Sequence, residues 1–157
     1  MSPPSSWYSN SAHPRDTLRI LAAALGGTGV MFGAMGAHAV KDRLAARKTL
    51  PMWQTASTYQ ILHAVAILGL AAMCLNSTTT ETKTTNEKTI NNNNNNKKTP
   101  DKNDVFLRAG KLMALGTTLF SGSIYCLALN IGPKMILGPA TPIGGLIMIG
   151  GWIVTGL

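Results

Sequence analysis

The sequence predicts an all-α integral membrane protein, a four-helix bundle with a disordered polar insert between its second and third helices. Three observations carry this reading. Four segments are apolar over lengths that cross a bilayer. Only 13% of the 157 residues are charged, where a soluble domain has roughly 25%. All six acidic residues, Asp16, Asp42, Glu81, Glu87, Asp101 and Asp104, lie outside the apolar segments. The length bounds the chain to one domain. The net charge of +8 comes from tails and loops beside apolar stretches. That placement fits anionic lipid headgroups rather than nucleic acid.

Residues 1–16 read as an irregular Ser/Pro-rich tail without the apolar core of a secretory signal peptide. Residues 17–75 carry the first two transmembrane helices. Leu18 to Val40 is the first span, 23 residues with Arg19 as its only charge. At about 1.5 Å per residue it crosses roughly 30 Å of hydrocarbon. Gly29, Gly33 and Ala37 follow small-xxx-small spacing. In lipid, where packing drives association, such a face lets helix backbones approach closely.

Lys41 to Gln54 reads as a loop with four bases and one acid. Leu44, Ala45 and Ala46 allow a short surface helix there, which Pro51 ends. Trp53 stands where an interfacial anchor belongs. Thr55 to Leu75 is the second span. Its entry, Met52 to Ala64, carries Trp53, Gln54, Tyr59, Gln60 and His63 across the water–lipid boundary.

Residues 76–104 change composition sharply, with many Thr and six consecutive Asn from Asn91 to Asn96. Ile90 is the one large apolar residue in this 29-residue segment besides the spans it joins. It buries too little to offset its ordering entropy, so the segment reads as a disordered Asn/Thr/Lys-rich insert. Residues 105–157 carry the third and fourth helices. Val105 to Leu129 is the third span, with Arg108 and Lys111 in its first turns reaching toward headgroups. Asn130 to Lys134 is a tight turn by its Gly-Pro pair. Leu137 to Leu157 is the last span. Pro139 and Pro142 kink it or delay its start, and Gly144, Gly145 and Gly151 supply a second small-residue packing face.

Four spans put both termini on one side. That side holds nine bases, five of them in the insert, against five on the other. The positive-inside rule therefore places the termini inside, in cytosol or matrix.

The polar residues converge on one half of the membrane. His38 closes the first span, and His63 lies about 10 Å deep in the second. Tyr59 and His63 are four apart and share a face. Ser121, Ser123 and Tyr125 end the third span, and Thr141 begins the fourth. An ionisable residue within a span points to function by default. The plainer reading is structural: a neutral imidazole bonded to a neighbouring helix fixes register. No carboxylate suited to proton coupling lies in a span, and no metal or phosphate motif is present. Ser121 or Ser123 with His63 lacks an orienting acid, so hydrolysis is disfavoured. Cys74 and Cys126 are apolar-run cysteines with no metal spacing. The expectation is a protein that is not an enzyme, with no cofactor and no metal.

The stretches Gly33-Ala-Met-Gly-Ala-His38, Trp53-Gln-Thr-Ala56, Tyr59 and His63-Ala64 resemble the N-terminal half of a known family. Gly116 to Tyr125, Leu137 to Gly145 and Gly151-Trp152 resemble its C-terminal half. The family is the small four-span membrane proteins of unknown function grouped with transmembrane protein 256, with bacterial members. The resemblance covers the chain except the tail and the insert. It implies a four-helix membrane protein and transfers no catalytic residue. The Asn-rich insert departs from the pattern and points to a eukaryotic host, for which a mitochondrial inner membrane is expected. Two functions follow as expectations. One is a non-catalytic accessory or structural subunit beside other membrane protein subunits, in a larger complex such as a respiratory one. The other is a small-ligand or ion carrier built on His38, His63 and Tyr125.

Overall fold

The structure is a computed structural model that describes residues 14–81 and 102–156, with backbone only at 75–81. It is helical throughout: α1 (Pro14–Ala37), α2 (Lys41–Ala46), α3 (Leu50–Glu81), α4 (Lys102–Leu129) and α5 (Lys134–Gly156). Four of these are long and apolar enough to cross a membrane: α1, residues Leu50–Cys74 of α3, α4 and α5.

Pro14 opens α1 with its φ already helical, and Asp16 in the first turn complements the helix dipole. The α2 helix matches the expected surface helix, but Pro51 does not end it. Pro51 instead sits in the first turn of α3, where a missing N–H costs nothing. The chain passes from α2 to α3 through Lys48, in the left-handed region at φ 57°. There the Thr49 amide reaches back to the Leu44 carbonyl at 2.9 Å. Asn130, also at φ 57°, closes α4 in the same way, with the Ile131 amide on the Cys126 carbonyl at 2.8 Å. Both are helix-ending turns that satisfy orphan carbonyls. α5 starts at Lys134, ahead of Pro139 and Pro142, so the prolines lie inside the helix rather than delaying it. The α3 backbone stays helical to Glu81, past the expected end of the second span. α4 likewise begins at Lys102, inside the insert expected over residues 76–104. The remaining residues of that insert, 82–101, lie outside the described residues, as does the tail before Pro14.

The most extensive interfaces are α1 with α3 and α4 with α5. Both are zipped by glycine. In the first, Gly26 lies over Ala64, Gly29 over Ile61, Gly33 over Ser57 and Gly36 over the Trp53 indole. In the second, a Cβ at Gly144 would stand 2.5 Å from the Phe120 amide nitrogen, and one at Gly116 would stand 2.7 Å from that of Met148. Such backbone proximity is the packing mode of membrane helices. The α3–α4 interface joins the two pairs, and α1 also meets α4, where Leu18 fills the space above Gly110.

The buried apolar residues form two clusters. Leu18, Ile67, Leu70, Ala109 and Met113 fill the end nearer the termini. Leu44, Trp53, Ala56, Ile124 and Ala128 fill the end nearer the α4–α5 turn. A polar layer lies between them.

Candidate functional site: the polar layer of the bundle

Six polar side chains are buried among the described residues: Ser57, Gln60, His63, Thr117, Ser121 and Ser123. Each is hydrogen-bonded within the chain. Three of these six bonds cross from one span to another.

Gln60 is the centre of the layer. Its amide nitrogen donates to the Leu25 carbonyl at 3.1 Å and to Thr28 Oγ1 at 2.7 Å. Its Oε1 accepts from the Tyr125 hydroxyl at 3.0 Å. The carbonyl of Leu25 can only accept, which fixes the orientation of the amide. One side chain on α3 thus ties α1 and α4 together. Beside it, Ser121 donates to the Ala56 carbonyl at 2.9 Å. Above it, Phe32, Trp53 and Tyr125 pack as an aromatic triad, the last two with ring centroids 4.6 Å apart.

His63 lies one turn deeper. Its Nδ1 stands 2.8 Å from the Tyr59 carbonyl, and its Nε2 lies 3.4 Å from the Trp152 indole nitrogen. Indole N–H is a donor only, and a carbonyl only accepts. Nε2 is therefore the acceptor and Nδ1 carries the ring proton. Both ring nitrogens are occupied, and the imidazole links α3 to α5. Tyr59 flanks His63 with rings 6.1 Å apart and is itself partly outward-facing. Ser123 and Thr141 share a hydrogen bond of 2.7 Å between α4 and α5.

The structure thus spreads the expected cluster over separate contacts rather than one pocket: Tyr125 on Gln60, Ser121 on Ala56, His63 on Tyr59 and Trp152, and Thr141 on Ser123. It does not bring His38 to any of them. α1 ends at Ala37, so His38 sits on the following turn with its side chain exposed. Trp53 is not an interfacial anchor. It is 1% exposed, and its indole donates to the Phe32 carbonyl at 2.8 Å. The helix starts at Leu50, which carries Trp53 into the bundle. Among the expected packing residues, Gly29, Gly33, Gly144, Gly145 and Gly151 lie at helix contacts. Ala37 faces outward, and Gly36 takes its place on the α1 seam. Gln60, at the entry of the second span, lies outside the cluster expected from the sequence. A mid-span amide is costly unless paired, so the rule that singles out His63 applies to it equally.

A cleft of about 500 Å³ opens between α1 and α4 over α3. Its walls are mainly apolar, with Leu25, Phe32, Met35 and Leu129, and its floor is Gln60 and Tyr125. No group of three metal-ligating side chains occurs among the described residues.

Residues 32–145 match the family described as protein of unknown function (DUF423). The chain is 38% identical over 122 residues to a UPF0382 membrane protein of Staphylococcus epidermidis, covering 78% of this chain and 77% of that one. It is 32% identical over 139 residues to UPF0382 membrane protein C1782.12c of Schizosaccharomyces pombe, covering 87% and 95%. It is 32% identical over 133 residues to the UPF0382 inner membrane protein YgdD of Escherichia coli, covering 85% and 81%. No solved structure matches. The matched region runs from Phe32 to Gly145 and so contains the polar layer from the aromatic triad to Thr141. The chain therefore belongs to the DUF423 family of small membrane proteins of unknown function, which has bacterial and eukaryotic members.

Proposed function

We propose that this protein is a non-catalytic accessory subunit of a larger membrane assembly, held in shape by its polar layer. One observation supports this above the others: each of the six buried polar side chains of the layer is already hydrogen-bonded inside the chain. Their hydrogen-bonding capacity is thus engaged in holding the helices together. The outer helices α1 and α5 meanwhile turn most of their surface outward, with large apolar side chains such as Ile20, Met31, Leu146 and Ile153 exposed. These faces suit lipid and neighbouring subunits. A mitochondrial inner membrane is the proposed site in a eukaryotic host, in keeping with the Escherichia coli relative named an inner membrane protein.

The test is gentle detergent extraction followed by native electrophoresis, with His63→Leu beside the wild type. The expected result is a band well above the mass of the free chain, lost or weakened in the variant. Migration only as the free chain overturns the reading. A second reading has one observation in its favour, the cleft over Gln60 and Tyr125. As a small-ligand protein, the chain keeps its assembly state in a Tyr125→Phe variant and loses binding.

A further inference from the structure

The cleft over Gln60 has a counterpart on the opposite face of α1. A groove of about 450 Å³ runs between α1 and α3. Ala23 and Gly26 form its floor, and Val30, Val65 and Leu68 rise along its sides. The floor is low because α1 and α3 approach closely there, with Gly26 set against Ala64. Arg19 lines the end nearer the termini. No charged side chain lines the cleft over Gln60.

We propose that this groove binds one anionic phospholipid, with its phosphate at Arg19 and one acyl chain over Ala23 and Gly26. Three observations converge on that occupant. From Arg19 to Val30 the groove follows twelve residues of α1, a rise of about 16 Å at ~1.5 Å per residue step. That is about half of a ~30 Å hydrocarbon core, the depth of one leaflet. The charge stands at the end where the apolar run of α1 begins, which is the level of the headgroup. Arg19 is also uncommitted: the neighbouring carboxylate of Asp16 pairs with Arg15 at 3.4 Å, and no described acid pairs with Arg19. A guanidinium offers a planar fork of donors matched to phosphate oxygens. A helix of a second copy laid in the groove would cover Arg19 with apolar surface and leave its charge unpaired.

The test is native mass spectrometry of the full chain released from vesicles of equal phosphatidylglycerol and phosphatidylcholine. The wild type should retain one phosphatidylglycerol in about fivefold preference, the effect of one well-placed cation near a headgroup. Arg19→Gln should bring the ratio to about one, and Arg19→Lys should largely keep it. Ala23→Leu, which fills the chain bed, should reduce both adducts. Lys111→Gln, at a base outside the groove, should leave the ratio unchanged. Equal retention of the two lipids by the wild type overturns the proposal. So does an undiminished preference in Arg19→Gln, or an equal loss in Lys111→Gln. A lipid-free wild-type dimer that Ala23→Leu dissociates gives the groove to a second copy, and also overturns it.

Discussion

Gln60 replaces three separate fasteners with one side chain. Leucine at this position has similar bulk but leaves the Tyr125 hydroxyl without its acceptor and removes the amide's bonds to the Leu25 carbonyl and Thr28. Gln60→Leu is expected to lower stability by about 2 kcal/mol, near the upper end for polar contacts between membrane helices. Tyr59→Phe is the control, since the Tyr59 hydroxyl has no hydrogen bond among the described residues, and it should shift stability little. Reversible unfolding in mixed micelles compares the two; equal midpoints would remove Gln60 from the centre of the layer. At His63 the expectation is spectroscopic. Nitrogen-15 NMR should report a protonated Nδ1 and a bare Nε2. Trp152→Phe should move the Nε2 resonance while leaving Nδ1 in place, because only Nε2 faces the indole. The residue scale is also where the sequence is hardest to read. Trp53 beside a basic loop has the composition of a headgroup anchor, and only the start of α3 at Leu50 turns it inward. Gln60 and His63 obey the same rule, yet a titratable ring draws the eye more than an amide does.

At the scale of elements, glycine position matters more than glycine number. α5 contains glycines that touch α4 and glycines that touch nothing. Gly144 lies against the Phe120 backbone, whereas a Cβ at Gly138 or Gly150 meets no atom within 4 Å. Gly144→Ala is expected to cost about 1–3 kcal/mol by forcing the helices apart. Gly150→Ala should be neutral or slightly stabilising, since alanine favours the helical backbone. If thermal unfolding of the two variants coincided, the α4–α5 seam would not lie where it is described. The spans were legible because about twenty apolar residues in a row leave few alternatives in lipid. The small-residue faces were legible as well, from their spacing. Their exact register was not: Ala37 and Gly36 are adjacent in sequence, and one residue rotates a helix by about a quarter turn or more. Pro51 misled for a related reason, since the same ring that ends one helix is tolerated in the first turn of the next.

At the scale of the molecule, four successive antiparallel spans put α2 and the α4–α5 turn on one side of the membrane, with the start of α1 and the end of α5 on the other. Single cysteines replacing Lys48 and Lys134 should therefore react with an impermeant maleimide from the same side, and one replacing Lys102 only from the opposite side. A background without Cys74 and Cys126 is needed. Labelling of Lys48→Cys and Lys134→Cys from different sides would contradict the order of spans. The bundle was legible at this scale. The hierarchy among its interfaces was not, because composition does not say which small-residue face meets which helix.

That hierarchy has a consequence for how the protein is made. The glycine-zipped pairs α1–α3 and α4–α5 are each local in sequence, and the polar contacts from Gln60, Ser121 and His63 join them afterwards. Each pair is then expected to insert by itself as a hairpin, with a covalent link between the pairs needed for no more than a high local concentration. Cutting the gene between Glu81 and Lys102 should be tolerated. Residues 1–81 and 102–157, expressed as separate polypeptides in one cell, should co-purify, and Gln60→Leu in the first should weaken their recovery together. Fragments that accumulate but never associate would show that the two halves depend on their covalent link.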